Sequence, residues 1–227
     1  MKLPSALLWS AIALLGAVVG FLTYRHYGTA GPVLTAVPAA VAPAPAAAIA
    51  PVATIPAQVP DFRLSDLAGR HQALRDGSGQ PHLFNFWATW CEPCRREIPL
   101  LNTLQQAYRG DHLQVVGIAI DFRDSVRRFL KTTHLEYRLL VGEDEGYEAA
   151  RKFGMEMALP FSVFADEHDQ IIAVKVGELH REEADAILGQ MRSLRAGTIT
   201  LPMARTAIDD ALKRISIARA KQSGMDN

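Results

Sequence analysis

Cysteine is almost absent. The 227 residues hold only two, and both fall in a single C-x-x-C, Cys91 and Cys94. A disulfide scaffold needs more pairs than that. A tetrahedral zinc site needs two further ligands, and no second C-x-x-C or H-x-x-x-H supplies them. Net charge is lacking as well, since 24 Lys and Arg balance 24 Asp and Glu. No run of basic residues is long enough to hold a phosphate backbone, so nucleic acid is not an expected partner. Apolar residues make up 49% of the chain, enough for one domain of ordinary size with extra segments. Composition alone leaves the cysteine pair as a redox couple, a structural disulfide or a free dithiol.

Charge is missing altogether from residues 5–24, which are mostly Leu, Ala, Val, Ile and Gly. About 20 such residues match the length of a helix that crosses a bilayer core. Lys2 precedes the stretch, and Arg25 and His26 follow it. An uncleaved anchor is expected over residues 1–27, in preference to a cleaved signal segment, whose apolar region is normally shorter. Residues 28–58 are rich in Ala and carry Pro32, Pro38, Pro43, Pro45, Pro51 and Pro56. That many prolines leave no apolar periodicity. Such a chain prefers extended geometry at about 3.1 Å per residue and reads as a semi-rigid tether.

One globular domain is expected over residues 59–195. Residues 59–64 read as a short strand and 66–69 as a turn. Residues 82–87 (His-Leu-Phe-Asn-Phe-Trp) form a buried strand, and a helix follows from Glu92 to about Tyr108. Residues 113–120 are a second continuous apolar run, as suits a central strand covered on both faces. A helix over 124–132, a strand over 137–141 and a helix over 145–153 come next. Two strands, 161–165 and 171–176, then pair through a turn, and a helix over 180–194 places Ala184, Ile187, Leu188 and Met191 on one face. Alternating strands and helices with a closing hairpin mean an α/β sheet with helices on both faces. Residues 196–227 add an amphipathic helix, over 200–221, with Ala204, Ile208, Ala211, Leu212 and Ile215 on one side. It is expected to dock on the domain, with a dimer contact or a membrane surface as the other readings.

Cys91 stands where the strand 82–87 gives way to a helix. The unpaired N–H groups of a helix's first turn stabilise a thiolate there, and the thiolate is the nucleophile. Cys94, three residues on, brings its sulfur to the same side. Pro93 sits in the first turn, where its missing N–H costs little, while Pro99 lies inside the helix. A four-residue loop constrains the unfolded chain little, which argues against a purely structural disulfide.

The segment 85–99 (Asn-Phe-Trp-Ala-Thr-Trp-Cys-Glu-Pro-Cys-Arg-Arg-Glu-Ile-Pro) closely resembles the TlpA/ResA branch of thioredoxin-like proteins, membrane-anchored bacterial disulfide reductases that face outward. The resemblance spans about residues 59–194. It implies a thioredoxin fold with an extra βα unit within about 113–153, here preceded by one transmembrane helix and followed by an extra C-terminal helix. It implies Cys91 as nucleophile, Cys94 as resolving thiol, and Pro160 as a cis proline facing the disulfide. Thioredoxins carry a buried Asp where this chain has Asn85. In the ResA-like branch the acid three residues after the second cysteine takes a related role, and Glu97 stands there. The alternative for Glu97 is a solvated helix position. Trp90, Pro93, Leu159 and Pro160 are the expected substrate-binding residues, with Trp90 a surface aromatic and Trp87 a core one. No cofactor is expected beyond the redox-active pair. Expected partners are disulfides of exported proteins, such as apocytochrome c or copper-site proteins, and a transmembrane thiol donor of the DsbD/CcdA kind. The expected location is the inner membrane, single-pass, with the domain facing the periplasm. The rival readings are a copper- or zinc-binding module built on the cysteine pair, a peroxidase and an inert scaffold.

Overall fold

The computed structural model describes residues 21–23, 25, 55–75, 79–155 and 158–225. The chain divides into two compact units, Met1–Ala50 and Pro51–Asn227. Of the first, only Phe21, Leu22, Thr23 and Arg25 are described, and all four are helical. The expected anchor and most of the Ala/Pro-rich tether lie outside the described residues. Among the described residues, no helix is long and apolar enough to cross a membrane.

The second unit is built on a seven-stranded sheet in the order β2-β1-β5-β4-β3-β6-β7. Its strands are β1 Arg63–Ser65, β2 His71–Ala73, β3 His82–Trp87, β4 Gln114–Ala119, β5 Arg138–Val141, β6 Phe161–Ala165 and β7 Ile171–Val176. Its helices are α1 Glu92–Ala107, α2 Arg123–Phe129, α3 Asp144–Lys152, α4 Arg181–Arg195 and α5 Leu201–Met225. Strands β3, β4 and β5 run parallel, and β6 returns antiparallel to β3 with β7 antiparallel to β6. This is a thioredoxin-like α/β fold. The segment α2-β5-α3 lies between β4 and β6 and adds a parallel strand beside β4.

Strand β3 is the centre of the unit because all six of its residues are buried. Its side chains alternate between two faces. Phe84 and Phe86 join Val116, Ile118, Ala149, Ala150 and Phe153 on the α3 side. Leu83 joins Leu101 and Leu104 of α1 and Ile187 and Leu188 of α4 on the other. The Phe86 ring stacks on Phe161 at 4.2 Å and meets Phe153 edge-on at 5.4 Å. Such pairs add about 0.5–1.5 kcal/mol each beyond the area they bury. Gly117 in β4 has no room for a side chain, since a Cβ there would stand 2.9 Å from the Tyr137 ring and 3.2 Å from Trp87 Nε1. The parallel strands pass close under two large aromatics for that reason.

One feature differs from the sequence expectation. The chain after β1 forms a hairpin with a second short strand, β2, because Asp66 Oδ1 accepts the amides of Ala68 and Arg70, both at 2.9 Å. The final helix is part of the same compact unit as the sheet. Its Ala204 and Ile208 are fully buried, and Ile208 packs among Leu188, Met191 and Leu83. Ala211, Leu212 and Ile215 are half-buried on the same side.

Candidate active site

Cys91 caps α1 in an extended conformation, directly after β3 and the turn at Thr89-Trp90. The amide of Cys94 donates to Cys91 Sγ at 3.3 Å. Pro93 has no N–H to offer, so the first turn directs the Cys94 amide at the sulfur instead. The two sulfurs are joined in a disulfide of 2.01 Å. Cys91 is 6% exposed and Cys94 not at all. An incoming sulfur therefore reaches Cys91 first. Both cysteines belong to an apolar cluster with Trp87, Ala88, Ile98 and Val126, against which Leu159 also packs.

Leu159–Pro160 is a cis peptide bond. Pro160 is buried just before β6, and its carbonyl accepts the Gly177 amide at 2.9 Å. Among the described residues, the backbone of Leu159 bonds to no other backbone group. Trp90 is 70% exposed beside the cysteine, whereas Trp87 is fully buried.

Glu97 lies one helical turn after Cys94 and faces the sheet, not solvent. It is 2% exposed. Oε1 accepts from Asn85 Nδ2 at 2.7 Å, and Oε2 accepts from the Leu179 amide at 2.7 Å. Asn85 Nδ2 also reaches Ser162 Oγ at 3.1 Å. Loss of hydration raises the Glu97 carboxyl to about 7; these two hydrogen bonds act against that rise, and Glu178 adds to it while Lys175 subtracts. Burial, and after it the Glu97 charge, push the Tyr137 phenol above its usual range. Arg96 is held on the surface by Glu178 at 2.6 Å and Glu92 at 3.0 Å, so its charge is committed away from the sulfurs.

Sequence reasoning missed Asp121. It follows β4, is largely buried, and its Oδ2 accepts both the Thr89 amide at 3.0 Å and the Thr89 hydroxyl at 2.5 Å. It thereby fixes the loop that carries Trp90 into Cys91. The signal was present, since an acid stands at the C-terminal end of a strand next to the reactive one, where open α/β sheets place their sites. Ser162 and Leu179 were also missed. Among the described residues, no three His, Cys, Asp or Glu side chains converge to hold a metal ion.

Comparison with known proteins agrees with this geometry. Residues 56–188 match the Redoxin family. A protein named thiol-disulfide oxidoreductase ResA from Bacillus thuringiensis is 30% identical over 132 residues, 58% of this chain and 75% of the relative. A thioredoxin-like protein, YneN from Bacillus subtilis, is 36% identical over 132 residues, 56% of this chain and 75% of the relative. A crystal structure described as a candidate thiol:disulfide interchange protein DsbE from Chlorobium tepidum superposes with a TM-score of 0.52 at 27% identity, covering 60% of this chain and 92% of that one. The chain belongs to the Redoxin family, as a thioredoxin-like thiol:disulfide oxidoreductase of the TlpA/ResA kind.

Proposed function

We propose that this oxidoreductase works as a membrane-anchored reductant of exported proteins' disulfides, with Cys91 as nucleophile and Cys94 as resolving thiol. The observation that carries the reading is the asymmetry of the pair: Cys91 lies at a helix N-terminus at the surface, and Cys94 is sealed beneath it. In the reduced protein the Cys91 thiolate attacks one sulfur of a substrate disulfide. The substrate S–S bond breaks, and its electron pair leaves on the other sulfur, which takes up a proton. Cys94 then gives up its proton and attacks Cys91 Sγ. The second substrate sulfur leaves as a thiolate, and the Cys91–Cys94 disulfide remains. Glu97, with a carboxyl near neutrality one turn from Cys94, is the group suited to accept the Cys94 proton. Trp90, Pro93, Leu159 and Pro160 surround the place where the substrate strand would lie, and the Leu159 backbone, which bonds to no other backbone group among the described residues, suits strand-like pairing.

Charge around the pair favours the reducing direction. Strong oxidants of this fold depend on a very stable thiolate. Here Glu92, Glu97 and Glu178 lie nearby, and Arg96 is neutralised by two of them. Equilibration of the domain with a glutathione series is expected to give a potential of about −270 mV, and a value above about −180 mV would overturn the assignment.

The uncharged run at residues 5–24, followed by the Ala/Pro-rich tether, supports an anchor with the domain facing the periplasm. A phosphatase reporter fused after Asn227 should be active only if the domain is exported, and cytoplasmic folding of the fusion would reject this placement. A reductant there is recharged by a transmembrane dithiol donor of the DsbD/CcdA kind. Its substrates are cysteine pairs of exported proteins, with apocytochrome c and copper-site proteins as the candidates. Residues 1–27, 28–58 and 59–195 are accordingly assigned as anchor, tether and catalytic domain, with the helix of 196–227 docked on the last.

A further inference from the structure

Beside the disulfide, the surface opens into two adjoining recesses. The first, about 290 Å³, is apolar and runs from Leu159 past Met155 and Ala150 to Trp90. The second, about 740 Å³, continues from Trp90 over Phe122 towards the start of α3. They share Trp90, Ile120 and Tyr147, so they form one groove. Its far half is lined by Asp121, Glu143, Asp144 and Glu148, and among the described residues no Lys or Arg lines either half.

These four carboxylates are not equivalent. Asp121 is occupied by Thr89, and Glu148 is paired with Arg151 at 3.1 Å. Glu143 and Asp144 are exposed and form no ion pair among the described residues. The dipole at the N-terminus of α3 favours acids in its first turn, but it amounts to only about half an elementary charge and leaves the groove negative. It also gives no reason for the aromatics. Trp90, Phe122 and Tyr147 are 70%, 62% and 39% exposed along the same groove. Large exposed aromatics gathered in one place mark an interaction surface. Aromatic faces beside carboxylates suit a Lys or Arg side chain, whose stem packs on the rings while its charge meets the acids.

We propose that this groove is a specificity subsite for an extended substrate segment, with an apolar side chain in the first recess and a Lys or Arg beyond it at Glu143 and Asp144. The inference deepens the proposed function and rests on it, because the groove begins at the strand-pairing edge of Leu159 beside Cys91. Selection is supplied by α3 of the inserted unit, while the chemistry is supplied by α1. Among exported cysteine pairs, the enzyme therefore favours those flanked on one side by an apolar and then a basic residue.

The test uses the full-length protein and two disulfide peptides that differ only in Lys or Glu at the distal position. Second-order reduction rates should favour the Lys peptide by about tenfold at low salt, since each exposed ion pair is worth up to about fivefold. The ratio should shrink in about 0.5 M salt, as screening demands. Glu143→Gln with Asp144→Asn should bring it close to one. A second arm measures equilibrium binding of the same peptides with Ser in place of Cys, a readout independent of any redox step. Equal binding of the two peptides, or a preference that survives the double substitution, would overturn the subsite. Preferential binding of the Lys peptide without reduction of either disulfide would leave the subsite standing and remove the reductant reading.

Discussion

Cys91→Ser is expected to reduce disulfide reduction to the rate of the thiol donor alone, while Cys94→Ser should accumulate a covalent complex with substrate. The difference follows from the burial of the two sulfurs. Only Cys91 reaches the surface, and only it receives the Cys94 amide from the first turn of α1. Without Cys91 no sulfur is available to attack, because Cys94 is fully enclosed by Trp87, Ile98 and Val126. Without Cys94 the attack proceeds and the mixed disulfide has no internal thiol to resolve it. The Ser variants keep the size of the side chain, so loss of folding does not obscure the outcome. Iodoacetamide gives the complementary measurement: in the reduced wild-type protein, Cys91 should be labelled much faster than Cys94. Faster labelling of Cys94 at neutral pH would reverse the roles. Mass spectrometry of the complex trapped by Cys94→Ser identifies the substrate directly.

The reactive strand-to-helix junction was legible because its signals are local. Strand β3 has the bounds that the sequence predicts, since all six of its residues are buried and four of them are large and apolar. The helix after Cys91 begins where the cysteine caps it and Pro93 fits its first turn. The hairpin strand β2 was missed because it has three residues, none fully buried, and is ordered by the Asp66 side chain and not by apolar alternation. The surroundings of Glu97 were illegible for a different reason. Its position three residues after Cys94 was visible, but the sequence left open whether it was solvated. The structure closes a buried network around it from β3, β6 and the loop before α4. Leu179, which donates to it, lies 82 residues away in the chain, and no local pattern announces such a contact. The same holds for Asp121, whose acceptor role depends on β4 pairing in register beside β3, with Ala119 opposite Trp87.

Glu97 should make the oxidised protein less stable as pH rises from about 5 to 8, and Glu97→Gln should remove that component. The disulfide form is the right one to measure, because its cysteines do not titrate. Unfolded, the carboxyl ionises at its ordinary value of 4.5, whereas in the fold desolvation raises it to about 7. Between these two values the folded state holds more protons than the unfolded state, so stability falls with increasing pH. The contribution is fully present below about 4.5 and is lost as pH rises through about 7. A shift of this size corresponds to about 3 kcal/mol between the limits. Glutamine fits the site without losing both hydrogen bonds. If the Asn85 amide turns over, its Oδ1 accepts from the introduced side-chain amide and from the Ser162 hydroxyl, and the introduced amide's carbonyl oxygen still accepts the Leu179 N–H. Urea midpoints of the two proteins, taken across the pH range, isolate the effect, since every other titrating group is common to both. Their difference should change by about 3 kcal/mol, with the glutamine variant gaining at the alkaline end. Parallel profiles would show that Glu97 ionises as freely in the fold as in the unfolded chain. That result would also remove its role as the acceptor of the Cys94 proton, because a carboxyl at its ordinary value is too weak a base for that step at neutral pH.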